Sequence, residues 1–248
     1  MKWRCMLCLL LALVTAFSLG TLTGRSTAAK PDTPSATETS SSTQSAVLSN
    51  DLVLLDVTPL CQYPDYPTGC EVITAVMALR YVGEVVTADE LIDSCLPKND
   101  AWYRRNGQLH GPDPRLCFAG DPRSRASYGC FAPVIETMLA TYFGHPDRVL
   151  NTTHTSLDEL CAYIDYGVPV LVWATMAMRP VTWKNSWWLP DNTLFTWPGN
   201  EHCLLLVGYD TENYYFNDPI EGTQVAYPKR TVEQRYADMG RQSLVITR

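Results

Sequence analysis

Gln62, Cys70, His202 and Asp218 follow one another along this chain in an order that could support acyl transfer. A thiol that attacks an amide carbonyl needs a base in reach, an orienter for that base, and donors for the developing oxyanion. Cys70 opens the stretch CEVITAVMALRYVG after a Pro67-Thr68-Gly69 turn, and from Val72 the apolar residues Val72, Ile73, Val76, Met77 and Leu79 recur at helical spacing. That periodicity places Cys70 in the first turn of a helix. Unpaired amides and the positive end of the dipole favour thiolate there, which predicts a lowered thiol pKa. On this stretch alone a buried or disulfide-bonded cysteine is an equal alternative.

His202 begins EHCLLLVGYD, the most hydrophobic strand candidate, so a rigid element would hold its imidazole; a lone histidine near a strand end is otherwise more often structural. Asp218 ends the next strand candidate, NYYFND, where Pro219 cannot continue a hydrogen-bond ladder. Asn217 is a rival orienter. Successive strand side chains face opposite ways, so only one of the two should reach His202. Gln62 lies eight residues before Cys70, and its amide could join the Cys70 N–H as an oxyanion donor.

The elements that must position these residues follow from pattern. Thr87 and Glu90 form a T-x-x-E box opening a helix to about Cys95; Phe131 to Phe143 is a third helix; Ser156 and Glu159 box a fourth. After Gly167 the order changes to strands, Val168 to Thr175, Glu201 to Asp210, Asn213 to Asp218 and Thr223 to Pro228, with a helix from Thr231 to Met239 and a closing strand from Ser243 to Thr247. Asp51 to Val57 is a weak first strand. Helices first and antiparallel strands after is an α+β pattern. Pro97 to Gly129 has no apolar period and reads as a long loop. VTWKNSWWLPDNTLFTWPGN also reads as a loop, in which Trp183, Trp187 and Trp188 could line a substrate groove or, as the favoured reading, pack on the sheet.

Composition narrows the partners. Residues 1–29 carry Lys2 and Arg4 before an apolar run from Cys5 to about Leu22, the order of a signal peptide, or of a membrane anchor if retained. Residues 30–50 are Ser/Thr/Pro-rich and form a linker, leaving 51–248 as one domain. From position 51 onward there are 15 basic and 24 acidic residues, which argues against nucleic acid as a partner. The expected location is extracellular or at the cell surface, with the membrane engaged only through the N-terminal segment. Seven cysteines follow that segment, none spaced as CxxC, and with four histidines in the chain no metal site is expected. An odd count leaves at least one thiol free in a monomer.

The stretches CQYPDYPTGCEVITAVMALRYVG, YGCFAPVIETML, GVPVLVWAT, EHCLLLVGYD, YYFNDPIEG and TVEQRYADMGRQSLVI together resemble the papain-like cysteine peptidases, most closely the family thirty-nine-like group related to the double-glycine leader peptidases. That resemblance implies a papain-like α+β fold, with a nucleophile helix from the N-terminal half packed on a C-terminal antiparallel sheet. It implies Cys70 as nucleophile, His202 as base, Asp218 as orienter and Gln62 as oxyanion donor, with no cofactor. The expected activity is hydrolysis of a peptide or related amide bond through a thioester, on a peptide or protein substrate, cell-wall peptide included. Two other functions remain open: a catalytically silent surface-binding module on the same fold, and a peptidyl or acyl transferase. No bundle of membrane spans and no GxxxxGK[ST] motif accompanies the domain, so cleavage coupled to a transporter is not expected.

Overall fold

Within residues 52–247, the span that this computed structural model describes, the order of elements is β1 (Val53–Leu54), α1 (Cys70–Tyr81), α2 (Ala88–Ser94), β2 (Lys98–Asn99), β3 (Tyr103–Arg105), β4 (Gln108–His110), β5 (Phe118–Ala119) and α3 (Ala132–Phe143). There follow β6 (Val149–Asn151), α4 (Leu157–Asp165), β7 (Val170–Thr175), β8 (Trp183–Trp188), β9 (Leu194–Pro198), β10 (Glu201–Tyr209), β11 (Asn213–Asp218), β12 (Thr223–Pro228), α5 (Lys229–Asp238) and β13 (Ser243–Ile246). The segments read as signal or anchor and as linker lie outside the described residues. Among those described, no helix is long and apolar enough to cross a membrane.

The main sheet runs β12-β11-β10-β7-β13-β6, with β1 also paired to β10, and every pairing is antiparallel. Both of its faces are covered. Cys203, Leu205 and Val207 of β10 pack with α1, α2 and α3, whereas Leu204 and Leu206 face the core shared with α4 and α5. This explains the unbroken apolar run of β10, because a strand buried on two sides has no polar face to alternate with. The architecture is the expected α+β one, with α1 packed on an antiparallel sheet.

Two stretches read as loops carry strands instead. Pro97 to Gly129 contains β2 to β5, and the tryptophan-rich stretch is the β8–β9 hairpin. They join in a second sheet, β3-β4-β8-β9, where β4 meets β8 at the single pair His110↔Trp188. Strands this short and this dependent on distant partners leave no period to read. Trp187 is fully buried, donates Nε1–H to the Pro112 carbonyl at 2.8 Å, and packs with Trp102, Tyr128, Phe195 and Trp197. Its ring is core and cannot line a groove. Trp188 is half-buried, and Trp183 is the one of the three that is well exposed.

Candidate active site

Helix α1 begins on Cys70 itself, with Gly69 as its cap. Glycine is required there by space: a Cβ on Gly69 would lie 2.9 Å from the Tyr66 Cβ. One turn further on, Thr74 donates its hydroxyl to the Cys203 carbonyl at 3.0 Å, which ties α1 to β10 beside His202. The helix start is thereby fixed against the strand that carries the histidine.

His202 is fully buried, and its Nε2 lies 2.8 Å from Asp218 Oδ1. Asp218 Oδ1 also accepts the Ile220 N–H at 2.8 Å. Burial pushes the Asp218 carboxyl up, but the hydrogen bond and charge of His202 and the Ile220 and Glu221 amides outweigh it and hold the group below the usual carboxylate range. Asn217 points the other way, donating Nδ2–H to the Val57 carbonyl at 2.7 Å. With Nε2 engaged, the His202 Nδ1 is left without a hydrogen-bond partner among the described residues. A ring held by one nitrogen with the other free is suited to taking a proton.

Gln62 is buried and donates Nε2–H to the Pro67 carbonyl at 3.2 Å, which uses one of its two amide hydrogens. Its backbone N–H donates to the Pro219 carbonyl at 2.8 Å, so the residue stands against the turn that follows Asp218.

The thiol departs from expectation. Cys70 is only 6 % exposed and its Sγ donates to Glu71 Oε2 at 3.3 Å rather than to His202. Burial chiefly, then the charges of Glu71 and Glu201, push the thiol well above its ordinary pKa, against the lowering effect of the Cys203 N–H. Desolvation beside two carboxyls outweighs the helix dipole, which is worth only about 0.3–2 kcal/mol. All seven described cysteines are free, so Cys70 is joined to none of the other six.

Glu71 and Glu201 are the residues that the sequence reading missed. Glu71 Oε1 accepts the Cys130 N–H at 2.6 Å, and the Cys130 carbonyl accepts Trp173 Nε1–H at 3.0 Å, so the peptide groups on both sides of the Cys130 Cα are held. Gly129 makes the approach possible: at φ +151° it adopts a conformation rare for other residues, and a Cβ would stand 2.6 Å from Glu71 Oε1. The available signal was an acid set inside an apolar run on either flank of the candidate pair, at Cys70-Glu71 and at Glu201-His202.

A helix opening on a cysteine, docked on an antiparallel sheet whose strands bring a histidine and an acid together, defines the papain-like class of fold. The chain belongs to the Peptidase C39 like family, whose model matches residues 54–244. It is 29 % identical over 184 residues to the uncharacterized protein YvpB of Bacillus subtilis, covering 74 % of this chain and 70 % of that one. A crystal structure assigned to the C39-like peptidases, from Bacillus anthracis, superposes with a TM-score of 0.70 at 26 % identity, over 80 % of this chain and 98 % of that one.

Proposed function

We propose that this chain is an exported cysteine peptidase that hydrolyses peptide or related amide bonds through Cys70, His202 and Asp218. The observation that carries the reading is the His202 ring, anchored at Nε2 by Asp218 with Nδ1 free. Family membership supports the same chemistry. In this mechanism the thiol must leave Glu71 and come round the start of β10, whose alternation sets Glu201 and Cys203 on the α1 face and His202 on the other, before Nδ1 takes its proton as Sγ attacks the carbonyl. The raised thiol pKa makes His202 a general base acting at the moment of attack, in place of a standing thiolate–imidazolium pair. The Cys70 N–H and the second amide hydrogen of Gln62 receive the oxyanion. Collapse to the thioester expels the amine, which takes the proton from His202. Water activated by the same nitrogen then releases the acid and restores the thiol.

The substrate on this reading is a peptide or protein outside the cell, cell-wall peptide included. Export rests on the Lys2/Arg4 head and apolar run, and intact mass of the native exported protein tests it: loss of the N-terminal segment supports secretion, and a full-length membrane-bound product supports an anchor. Turnover of a peptide library and of cell-wall fragments, abolished in Cys70→Ala and in His202→Ala, is the expected result for the enzyme. A specific observation also favours the silent binding module, namely the Cys70 thiol turned onto Glu71 and held protonated. Absence of turnover, together with a Cys70 inert to iodoacetamide at every pH at which the protein stays folded, would establish that second reading. Product analysis with an added amine separates hydrolase from transferase.

A further inference from the structure

Beside the candidate triad lies a group of three potential anions with no cation among them. Cys70, Glu71 and Glu201 are 6 %, 0 % and 4 % exposed, and one ligand atom from each lies within 4.8 Å of the other two. Among the described residues neither carboxyl pairs with a Lys, Arg or His. Taking even one charge out of water without a partner costs several kcal/mol, which the start of a helix cannot offset. Either protons or a cation must neutralise the group.

The spacing favours a cation. Two carboxyls that share a proton close to about 2.5–2.7 Å. Glu71 Oε2 accepts from Cys70 Sγ and its Oε1 from the Cys130 N–H, and among the described residues Glu201 Oε1 is buried with no hydrogen-bond partner. Tetrahedral zinc, with ligands at about 2.0–2.3 Å, places neighbouring ligand atoms about 3.3–3.8 Å apart. The 3.3 Å separation of Cys70 Sγ and Glu71 Oε2 already has that value, and a rotamer adjustment of the untethered Glu201 brings in the third. Glu71 is also held as a metal ligand usually is, its other oxygen fixed by the Cys130 N–H. The thiol selects the class of ion, because soft sulfur favours zinc over magnesium or calcium.

We infer that Cys70 Sγ, Glu71 and Glu201 form a site for one divalent cation of the zinc class, and that a cation bound there takes Cys70 out of reaction. The second half rests on Cys70 being the nucleophile; the first does not. On binding, the S–H proton leaves to solvent, a metal–sulfur bond forms, and the lone pair needed for attack is engaged. Three protein ligands leave a position for an exchangeable fourth.

Cobalt(II) titrated into the reduced, chelator-washed full chain should give a near-ultraviolet thiolate-to-cobalt charge-transfer band that saturates at one equivalent and is displaced by zinc. The band should vanish in Cys70→Ser and need at least about ten-fold more cobalt in Glu201→Gln, a variant with no hydrogen bond to lose. In the unaltered protein, one equivalent of zinc should protect Cys70 from iodoacetamide, located by peptide mapping, and chelator should restore labelling. No band, or a band that survives Cys70→Ser, would overturn the site, and a Cys70 that labels equally fast with and without zinc would overturn its inactivation by the cation. If cobalt binds as described and no peptide or cell-wall fragment is turned over with or without chelator, the site stands and the nucleophile reading falls.

Discussion

Replacing Asp218 by alanine removes the one partner of His202 Nε2 among the described residues, whereas replacing Asn217 removes a bond to the Val57 carbonyl on the other face of β11. If the peptidase reading holds, Asp218→Ala should lower kcat by about 10² or more while Asn217→Ala leaves it within a few-fold and costs about 1–3 kcal/mol of stability. The reverse ranking in kinetic and denaturation measurements would exchange their roles. Glu71 makes a second prediction, from its pKa pushed up to about 7, chiefly by burial. Between 4.5 and about 7 the folded protein binds a proton that the unfolded chain has lost, so this contribution is full below 4.5 and disappears as pH rises through 7. Glu201, also raised, acts in the same direction, and Asp218 in the opposite one, its contribution being present above 3.8 and lost as pH falls below that value. The stability of chelator-washed, reduced protein should therefore decline from about pH 5 to about pH 8, by up to about 1.4 kcal/mol per unit for one proton, and less steeply in Glu71→Gln. Equal slopes in denaturant titrations of the two proteins would show that Glu71 is not the group responsible.

Local signals were legible wherever an element is stabilised by its own residues. Ser156 Oγ accepts the Glu159 N–H, and Glu159 Oε2 accepts the Ser156 N–H, so both halves of the expected box form at the start of α4. Thr87 forms only the forward half, accepting from the Glu90 N–H. The position of Cys70 at the start of α1 was likewise set by adjacent residues, Pro67 to Gly69 before it and the apolar period after. The direction of its thiol was not, because that depends on Glu71 being drawn to Cys130 and on Glu201 arriving from another strand. The β8–β9 hairpin was illegible for a related reason: its Trp187 and Trp197 face an aromatic core that Trp102 and Tyr128 help to supply. Gly129 is where this long-range packing can be tested. Gly129→Ala should cost about 1–3 kcal/mol, because its Cβ meets Glu71 Oε1 at 2.6 Å and the Trp197 ring at 3.2 Å. Gly144→Ala, at φ +74° with nothing within 4 Å of its Cβ, carries the backbone strain alone and should melt higher. Equal melting temperatures would mean that the contact with Glu71 contributes nothing.

The whole domain is organised about one sheet whose central strands belong to both cores: Leu171, Leu205 and Leu244 face one, Val172, Leu204 and Val245 the other. Neither core can be lost alone without stripping β7, β10 and β13 of a face. Far-ultraviolet circular dichroism and tryptophan fluorescence should therefore report one coincident unfolding transition. A fluorescence change well ahead of the loss of secondary structure would show that the second sheet, with Trp187 and Trp197, melts by itself. The sequence conveyed the order of elements and the identity of the candidate residues, since both follow from patterns within short windows. It did not convey which helices share a face, since α4 and α5 are separated in the chain by four strands of the sheet they cover. That interleaving has a consequence for the birth of the molecule. Gln62 and Cys70 leave the ribosome first, while β10 and β11, which bring His202, Asp218 and the Pro219 carbonyl that pins Gln62, come more than 130 residues later. At about 5–20 residues per second, roughly 7 to 26 seconds of synthesis separate Cys70 from His202. Throughout that interval the emerging polypeptide carries Cys70 without His202 or Asp218, so the candidate constellation is complete only once β11 has been made.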